Sequence, residues 1–529
     1  METKRRYAPI MTGAVLLTLI LLGCVLYHTF SVPAQKYIVA YIPLDNRPVN
    51  QERVHYMAQS ADIALLMPEE ALYRTALDHM QPNPDGSTTG NREKLRQWLL
   101  DADKSCDHFI ISLDQMTSGG LVGSRWLHNE DLTLEYRMID TILALSKTNT
   151  VYVFDTVMRL APTVGYQGYS LEDYNALRAY GMEARKTLCA DELTLEKIAE
   201  SYCLGADGAP IQTDISADKL AQYHAARARK LKLIDYALRK ADNNIDFFFI
   251  GVDDSSPQNT IQRNEISYIN TLLGQNGTLG AAADELALCC LGRMIAELYH
   301  VEVPVQISYF GGGENVPADG FDIGTLAESM QNHLDALSVK NAENGLQVLC
   351  LTRGSGDTDR HSLLARLKEN QAAHTPTVLI DVSEAPEVLA EMIIKDTSID
   401  LCQLLGYSSW NTAANTIGLA LSQGVGRYAY LSAVDRASQD ANEGFLQAMT
   451  FSYVKDISYK AVHPDLDGFL SFTHPCAPAN ITARLSSGKV ITALKPFRAE
   501  AQGRVSVSDF RYPWERTFEI CFAIDISKG

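Results

Sequence analysis

The chain has 529 residues, of which 46% are hydrophobic and 21% are charged. This composition is typical of a folded globular protein of about two to four domains, and it excludes collagen-like, low-complexity and intrinsically disordered chains. The 64 acidic and 46 basic side chains leave a formal net charge of −18 at pH 7. A chain this acidic repels a phosphate backbone, so we expect no general binding of nucleic acid.

The first 35 residues predict a membrane anchor. Three basic residues, 4–6, precede an uncharged apolar run over about 10–27, which is roughly the length that a helix needs to cross a bilayer. Because basic residues stay on the cytoplasmic side, we expect a cytoplasmic stub, a single span and an extracytoplasmic bulk of the chain, at the cell membrane. Ordinary signal-peptide cleavage and a lipoprotein anchored through Cys24 are the alternatives.

The cysteines do not predict a disulfide framework. Nine follow Cys24, an odd number, and most lie in apolar segments without any Cys-x-x-Cys pair. We therefore interpret most of them as small buried hydrophobic residues. Cys189 and Cys203 are the one pair that would merit a test for a disulfide.

From about residue 36, short β-rich apolar runs alternate with amphipathic helical stretches. Several runs are almost continuous in Val, Ile, Leu or Phe, as expected for parallel strands that are buried on both faces. Alternation of strand and helix is typical of α/β architecture. The predicted strands are 37–44, 63–67, 109–113, 151–154, 247–252, 303–309, 346–351, 377–380, 401–407 and 428–431.

These strands are too many for a single (β/α)8 barrel and fit two doubly wound parallel-sheet lobes; a β/α barrel with extra strands is the alternative. The last part of the chain alternates in polarity, for example over 481–485, and lacks a convincing helix, so we expect a small antiparallel β module there. The segment Trp514-Glu515-Arg516, with Phe518-Glu519, is expected to dock this module against the core. The predicted domains are the stub and anchor (1–35), the first lobe (36–300), the second lobe (301–462) and the β-rich module (463–529).

A predicted helix near 217–241 is rich in basic side chains. We interpret them as a solvated surface face, and contact with an anionic lipid surface or polymer is the alternative. The residues concerned are Lys219, Arg227, Arg229, Lys230, Lys232, Arg239 and Lys240.

Aspartates follow four of the first five predicted strands. Asp45 follows the first strand, Asp114 the third, Asp155 the fourth, and the doublet Asp253-Asp254 the fifth. Ligands of α/β proteins bind beyond the carboxyl ends of the strands, so we expect these carboxylates to share one site. The alternative for each aspartate is to cap the following helix, but two adjacent carboxylates cannot both cap the same helix.

Carboxylates that converge on one site repel each other, and nearby cations offset that cost. Arg47, Arg125 and Arg159 lie in the same loops and are expected to tune the carboxylates or to hold a substrate. Glu285, in the predicted first turn of a helix, is a further acid candidate, and its alternative is complementarity to the helix dipole.

Trp410, Asn411 and Asn415 follow a predicted strand of the second half and open a helix. An indole face with amides one helical turn apart is typical of sugar binding. The alternative is a Trp that seals the interface between lobes and an Asn411 that caps the helix. The sequence has no His-Glu-x-x-His motif, Gly-x-Ser-x-Gly motif or Cys/His zinc spacing, and we predict neither a metal nor a cofactor.

Several of these blocks, in this order, resemble the bacterial family DUF4127, a family of unknown function, over about residues 36–520. The resemblance implies a shared site and brings no established activity. The blocks that carry it are 43–50, 112–114, 119–125, 158–159, 253–254, 283–285 and 410–418.

Two classes of function fit these residues. The first is a hydrolase of carbohydrates or glycoconjugates, with Asp253 and Asp254 as the acid/base centre and Asp45 and Asp114 as their partners. The second is a surface-anchored protein that binds a solute or glycan without catalysis, and a weaker third has the aspartates hold a divalent metal for phosphate-ester chemistry. The expected substrate-binding residues are Arg47, Arg125, Asp155, Arg159, Glu285, Trp410, Asn411 and Asn415.

Overall fold

The computed structural model describes residues 37–241, 244–317, 319–409, 412–460, 469 and 473–527. The predicted membrane anchor and its Cys24 lie outside these residues. Within them, no helix has both the length and the apolar character that crossing a bilayer requires.

The first sheet consists of six parallel strands. They are β1 (Tyr37–Ile42), β2 (Ile63–Leu66), β3 (His108–Ser112), β4 (Thr150–Val157), β5 (Phe247–Val252) and β6 (Gly277–Ala281). Their spatial order is β2-β1-β3-β4-β5-β6, which is a doubly wound order with its switch point between β1 and β3. Every residue of β5 is buried, because a parallel sheet of this kind is covered on both faces.

The second sheet repeats this arrangement with five parallel strands. They are β7 (Pro304–Phe310), β8 (Lys340–Asn341), β9 (Leu346–Leu351), β10 (Thr377–Asp381) and β11 (Leu404–Ser408). Their order is β11-β10-β9-β7-β8, so the sheet, counted from its own first strand, is wound like the first. The predicted α/β class with two doubly wound sheets is confirmed. The barrel alternative is wrong because both sheets are open and end in edge strands.

Helices cover the sheets and connect successive strands. They are α1 (Glu52–Gln59), α2 (Arg92–Ala102), α3 (Leu113–Ser118), α4 (Leu121–Ser124), α5 (Thr133–Leu145), α6 (Leu171–Met182), α7 (Leu195–Ser201), α8 (Ala217–Ala241), α9 (Arg263–Leu272), α10 (Leu286–Leu298), α11 (Leu326–Ala336), α12 (Asp357–Ala372), α13 (Pro386–Lys395), α14 (Ala413–Ala433), α15 (Gln439–Ser452) and α16 (Pro478–Ser487). A π-helical segment, Tyr453–Lys460, continues α15.

One hydrophobic core connects the two sheets. It contains side chains of β1 and β9 together with those of α10 and α14, whose residues are nearly all buried. Both sheets and the C-terminal strands belong to one compact unit that begins at Tyr37. The chain passes from the first sheet to the second between α10 and β7, and the predicted domain boundaries stay predictions.

Two predicted strands are wrong. Residues 428–431 lie within α14, which is buried on nearly every side, and a helix that is apolar all round has the same pattern as a buried strand. Residues 481–485 lie within α16, which begins with a proline and buries Ile481 and Leu485 on one face. Proline is favoured in the first turn of a helix because its missing N–H has no partner there.

The C-terminal part contains two antiparallel strand pairs, so the predicted antiparallel strands are confirmed, although α16 lies among them. The pairs are β12 (Val490–Leu494) with β13 (Phe497–Glu500), and β14 (Arg504–Arg511) with β15 (Cys521–Ser527). The nine described cysteines are all free thiols, and seven of them are buried. Cys189 and Cys203 are exposed and form no disulfide.

Arg427, which is fully buried in α14, connects three parts of the fold. Its guanidinium donates to the carbonyl oxygens of Ser60 (2.6 Å), Ala441 (3.2 Å) and Ile491 (3.1 Å). It also donates to Asn442 Oδ1. Burial lowers the pKa of Arg427 to about 10.

We expect Arg427→Ala to lower the free energy of unfolding by about 3–5 kcal/mol, because it leaves several buried oxygens without donors. Arg436→Ala, at a side chain that is 58% exposed and pairs with Glu500, is the control and should change it by less than about 1 kcal/mol. Urea unfolding followed by circular dichroism measures both. Equal losses in the two variants would contradict the connecting role of Arg427.

Candidate functional site

A pocket of about 160 Å³ lies beyond the carboxyl ends of the first sheet. The loops after β1, β3, β4, β5 and β6 all contribute to it, together with α14 and the segment 513–519. Its charged lining residues are the acids Asp253, Asp254, Asp284 and Glu519 and the bases Arg47, Arg125, Arg159 and Arg516. Five charged residues of the predicted site lie in this lining, which also contains Asp284, Arg516 and Glu519, residues that were not among the predicted site residues.

Arg47 connects two carboxylates at the pocket wall. Its Nη2 is 2.8 Å from Asp45 Oδ2, and its Nη1 is 3.1 Å from Asp284 Oδ2. Asp45 also accepts hydrogen bonds from the backbone N–H of Arg47 (3.0 Å) and from Asn50 Nδ2 (2.9 Å). Asp45 is thus fully buried, both of its carboxylate oxygens accept hydrogen bonds, and it does not line the pocket. It forms the turn that holds Arg47.

Asp284 lines the pocket on the loop after β6. Burial raises the pKa of Asp284 to about 6; Arg47 opposes this shift, while Asp45 and Glu519 add to it. The backbone N–H of Asp284 donates to Asn415 Oδ1 at 3.1 Å. A carboxyl group in this state exchanges its proton close to neutral pH, which is the range in which a general acid is most effective.

The Asp253-Asp254 doublet supplies two carboxylates to the pocket, each paired with its own arginine. Asp253 Oδ2 is 2.5 Å from Arg125 Nη2, and Asp254 Oδ2 is 3.1 Å from Arg159 Nη1. Asp254 has a backbone φ of +28°, which is uncommon for a residue other than glycine. Burial raises the pKa of Asp253 against the opposing effect of Arg125. The side chain of Asp254 is 28% exposed.

Asp114 and Asp155 lie outside the pocket lining and share one ammonium group. Lys230 Nζ is 2.5 Å from Asp114 Oδ1 and also contacts Asp155 Oδ1, and Thr156 Oγ1 donates to Asp114 Oδ2 at 2.7 Å. Burial and the charge of Asp114 raise the pKa of Asp155 to about 8, against Lys230. These two predicted site residues are therefore neutralised inside the fold.

The interpretation of α8 as a solvated basic face is wrong for its middle turns. Arg227, Arg229 and Lys230 are at most 3% exposed. Arg227 pairs with the buried Glu265, and Arg229 pairs with the buried Glu135 at 2.9 Å. A helix that carries charges to buried carboxylates has the same composition as one that faces water, so the pattern alone could not separate them.

The remaining predicted residues have different outcomes. Glu285 does not line the pocket. Its Oε1 is 3.2 Å from His333 Nε2, and its Oε2 accepts a hydrogen bond from the N–H of Ala283. Asn415 does line it, with its Nδ2 donating to Thr412 Oγ1 at 2.9 Å. Trp410 and Asn411 lie outside the residues that the structure describes.

The segment 513–519 forms a wall of the pocket, a role that the sequence interpretation did not give it. Trp514 is 9% exposed, and its ring centre is 5.1 Å from the guanidinium carbon of Arg47. Its indole Nε1 donates to Asn46 Oδ1 at 3.0 Å. Arg516 donates to the carbonyl of Val164 and, within the described part of the chain, forms no ion pair. The sequence did contain a signal for this wall: Trp514, Arg516 and Glu519 lie close together between β14 and β15.

Glu519 completes this wall from the inside. Its Oε1 is 2.6 Å from the buried Lys455 Nζ of the π-helical segment, and its Oε2 has no hydrogen-bond partner in the described part of the protein.

Among residues 37–241, 244–317, 319–409, 412–460, 469 and 473–527, no three His, Cys, Asp or Glu side chains are arranged to hold a metal ion.

A family model described as "Protein of unknown function (DUF4127)" matches residues 39–523. The chain belongs to the DUF4127 family. The match extends from β1 into β15, so all the loops that line the pocket of this DUF4127 protein, and the segment 513–519 as well, lie within the family domain. No curated protein and no solved structure matches the chain.

We expect Lys230→Met to destabilise the fold by about 3–5 kcal/mol, because two buried carboxylates lose their common cation. The loss should be larger at pH 8.5 than at pH 5, since protonation of Asp155, whose pKa lies at about 8 in the native protein, relieves the repulsion at low pH. Lys232→Met, at an exposed residue of the same helix, is the matched control. Urea unfolding at both pH values measures the effect, and a loss independent of pH would contradict the assignment.

Proposed function

We propose that this DUF4127 protein is a hydrolase that acts on a carbohydrate or glycoconjugate in the pocket of the first sheet, with carboxylates as the acid and the base. The observation that carries the proposal is that Asp254 and Asp284 line one pocket in different surroundings. Asp284 is 4% exposed with a pKa of about 6, whereas the side chain of Asp254 is 28% exposed. Environments that separate two carboxylates in this way are typical of acid/base pairs.

In the proposed mechanism, Asp284 is the general acid. Its raised pKa keeps a share of it protonated near pH 6, so it can donate a proton to the oxygen of the leaving group. Asp254 is the base or nucleophile, because its partly exposed carboxylate can reach water or substrate. Arg159 Nη1, at 3.1 Å from Asp254 Oδ2, positions this carboxylate, and Arg125 holds the adjacent Asp253. The reaction breaks the glycosidic C–O bond and adds water across it, as in glycosidases with two carboxylates.

The lining also supports a sugar as the ligand. Trp514 provides an aromatic surface, and Asn415 and Arg516 provide polar groups. An apolar face with a few fixed polar groups is typical of such sites. A volume of about 160 Å³ is below the ~300–1,000 Å³ typical of ligand pockets, so the pocket suits one small unit rather than a long segment of a chain.

The location of this activity follows from the sequence pattern of residues 1–35. We propose that these residues anchor the protein in the cell membrane and that the pocket acts on the extracytoplasmic side. Its substrate is then a glycan or a glycoconjugate outside the cytoplasm.

Binding without catalysis is the second candidate, and one observation favours it. Each of the three aspartates that line the pocket is already paired with an arginine: Asp253 with Arg125, Asp254 with Arg159 and Asp284 with Arg47. Carboxylates held in this way also suit hydrogen bonds to a solute that is bound and released unchanged. Turnover decides between the two candidates.

We expect Asp254→Asn and Asp284→Asn each to lower kcat by about 10²–10⁴-fold, because each removes a group that transfers a proton or attacks the substrate. The melting temperature of Asp254→Asn should change by only a few degrees, because this side chain is partly exposed. Asp284→Asn breaks a buried ion pair with Arg47 and should melt lower, so its kcat is measured well below that temperature. Asp101→Asn, at an exposed helical residue, is the control. Release of nitrophenol from a panel of nitrophenyl glycosides and of reducing ends from polysaccharides measures the rates.

The pH dependence adds a separate prediction. Because the general acid must be protonated, kcat should fall as the pH rises through about 6, the pKa of Asp284. Asp284→Asn should remove this limb of the profile. A glycan that binds with micromolar affinity and is never cleaved would favour the binding protein, and full activity of both aspartate variants would end the hydrolase proposal.

A further inference from the structure

The pocket of the first sheet has eight charged lining residues, and all but one of them form ion pairs within the described part of the chain. The pairs are Arg47 with Asp284, Arg125 with Asp253, Arg159 with Asp254, and Glu519 with Lys455 of the π-helical segment. Arg516 is the exception, because no carboxylate among the described residues pairs with it. The pocket lining therefore contains one positive charge that no neighbouring acid neutralises.

Arg516 also has unused hydrogen-bond donors. A guanidinium carries five N–H groups, and that of Arg516 donates a single hydrogen bond within the described residues, to the carbonyl oxygen of Val164. The side chain is half-buried, and none of its nitrogens is buried without a partner, so its other donors are accessible to a ligand. Burial lowers the pKa of Arg516, since it removes water from a cation without a counter-ion. An anion bound there would offset that cost.

The surrounding backbone fixes the direction of Arg516. Trp514 and Glu515 have positive φ values, +53° and +55°, a conformation that is uncommon for residues other than glycine. The N–H of Arg516 donates to the carbonyl oxygen of Pro513 at 3.1 Å and closes this turn. Gly165 leaves room for the guanidinium, because a Cβ atom at that position would lie 3.2 Å from its Nη2. Arg516 is thus held both at its backbone and at the tip of its side chain.

Thr163 adds a neutral donor to the same lining. It directly precedes Val164, whose carbonyl oxygen accepts the hydrogen bond from Arg516. Its Oγ1 accepts a hydrogen bond from Arg125 Nη1 at 2.9 Å, and its own O–H has no acceptor among the described residues. A planar guanidinium together with a hydroxyl donor suits the oxygens of a carboxylate or a phosphoryl group.

We propose that this pocket selects a sugar unit that carries an anionic group, a carboxylate or a phosphoryl group, and that Arg516 binds this group. The inference rests on the proposed function, because it specifies the substrate class of the same pocket. Each acid of the lining already has its own cation, so an anionic ligand meets little uncompensated negative charge. Arg516 sets the specificity in this arrangement, and Asp254 and Asp284 keep their roles as the base or nucleophile and the acid.

The test is calorimetric titration of the full chain in detergent with D-glucose, D-glucuronate and D-glucose 6-phosphate, which differ only at C6. We expect at least one of the two anionic sugars to bind about tenfold or more tightly than glucose, and the tighter of the two identifies the group as carboxylate or phosphoryl. Arg516→Gln should lower this preference over glucose by about 10- to 100-fold, the usual effect of losing a hydrogen bond to a charged group. Arg516→Lys should lower it less, since an ammonium keeps the charge without the planar fork.

Arg498→Gln is the matched control, because Arg498 is an exposed arginine of β13 that lies outside the pocket. It should leave the preference unchanged. Arg516→Lys and the comparison of the three sugars on the unaltered chain keep the test decisive if Arg516→Gln does not fold. Binding of glucose as tight as that of both anionic sugars, a preference that persists in Arg516→Gln, an equal loss in Arg498→Gln, or no binding of any of the three sugars would overturn the proposal.

Hydrolysis of the nitrophenyl glycosides of the same three sugars, as both anomers, separates this inference from the proposed hydrolase. Binding of an anionic sugar through Arg516 without cleavage of any glycoside would end the hydrolase proposal and leave the anion site in place. Cleavage of the glucoside with a kcat/KM equal to or above that of both anionic substrates would keep the hydrolase and overturn the anion site.

Discussion

Neutralisation of carboxylates at the ends of parallel strands is the constraint on which this structure depends. Four positions bring aspartates to one edge of the first sheet: the turn after β1, the first turn of α3, the end of β4 and the loop after β5. Each of these aspartates pairs with a cation. Asp45 receives Arg47 from its own loop, whereas Asp114 and Asp155 receive Lys230 from α8, more than 70 positions away along the chain. Asp45, Asp114 and Asp155 are buried in these pairs outside the pocket lining, whereas Asp253 and Asp254 line the pocket beside Arg125 and Arg159.

The fold was largely predictable because its signals are local. Runs such as Phe247–Val252 show that a strand is buried on both faces, and the regular alternation with helices indicates parallel sheets. The failures have equally definite causes. The strand β6, Gly277–Ala281, was not predicted, because it has little apolar character of its own and forms by pairing with β5. Residues 428–431 of α14 were predicted as a strand, because a helix that is buried on all sides shows no 3.6-residue period.

The site was predictable only in part. Strand-end positions placed Asp253, Asp254, Arg47, Arg125 and Arg159 at one pocket, because carboxyl ends of parallel strands share an edge. Which acid would be taken up by Lys230, however, depends on how α8 packs, and sequence spacing carries no information on that contact. The wall formed by Trp514 and Glu519 was missed for a related reason, since it lies almost 470 residues from Arg47 and joins it only through tertiary packing.

The position of that wall affects when the protein becomes competent. During synthesis, the strands of the first sheet emerge early and can fold as the ribosome continues, but the segment 513–519 follows the last of these strands by more than 200 residues. The pocket therefore stays open on one side until the segment 513–519 has been synthesised and has packed against the first sheet. A nascent chain, or one shortened before this segment, would carry the aspartates and arginines of the pocket and still lack the indole and the glutamate that close it.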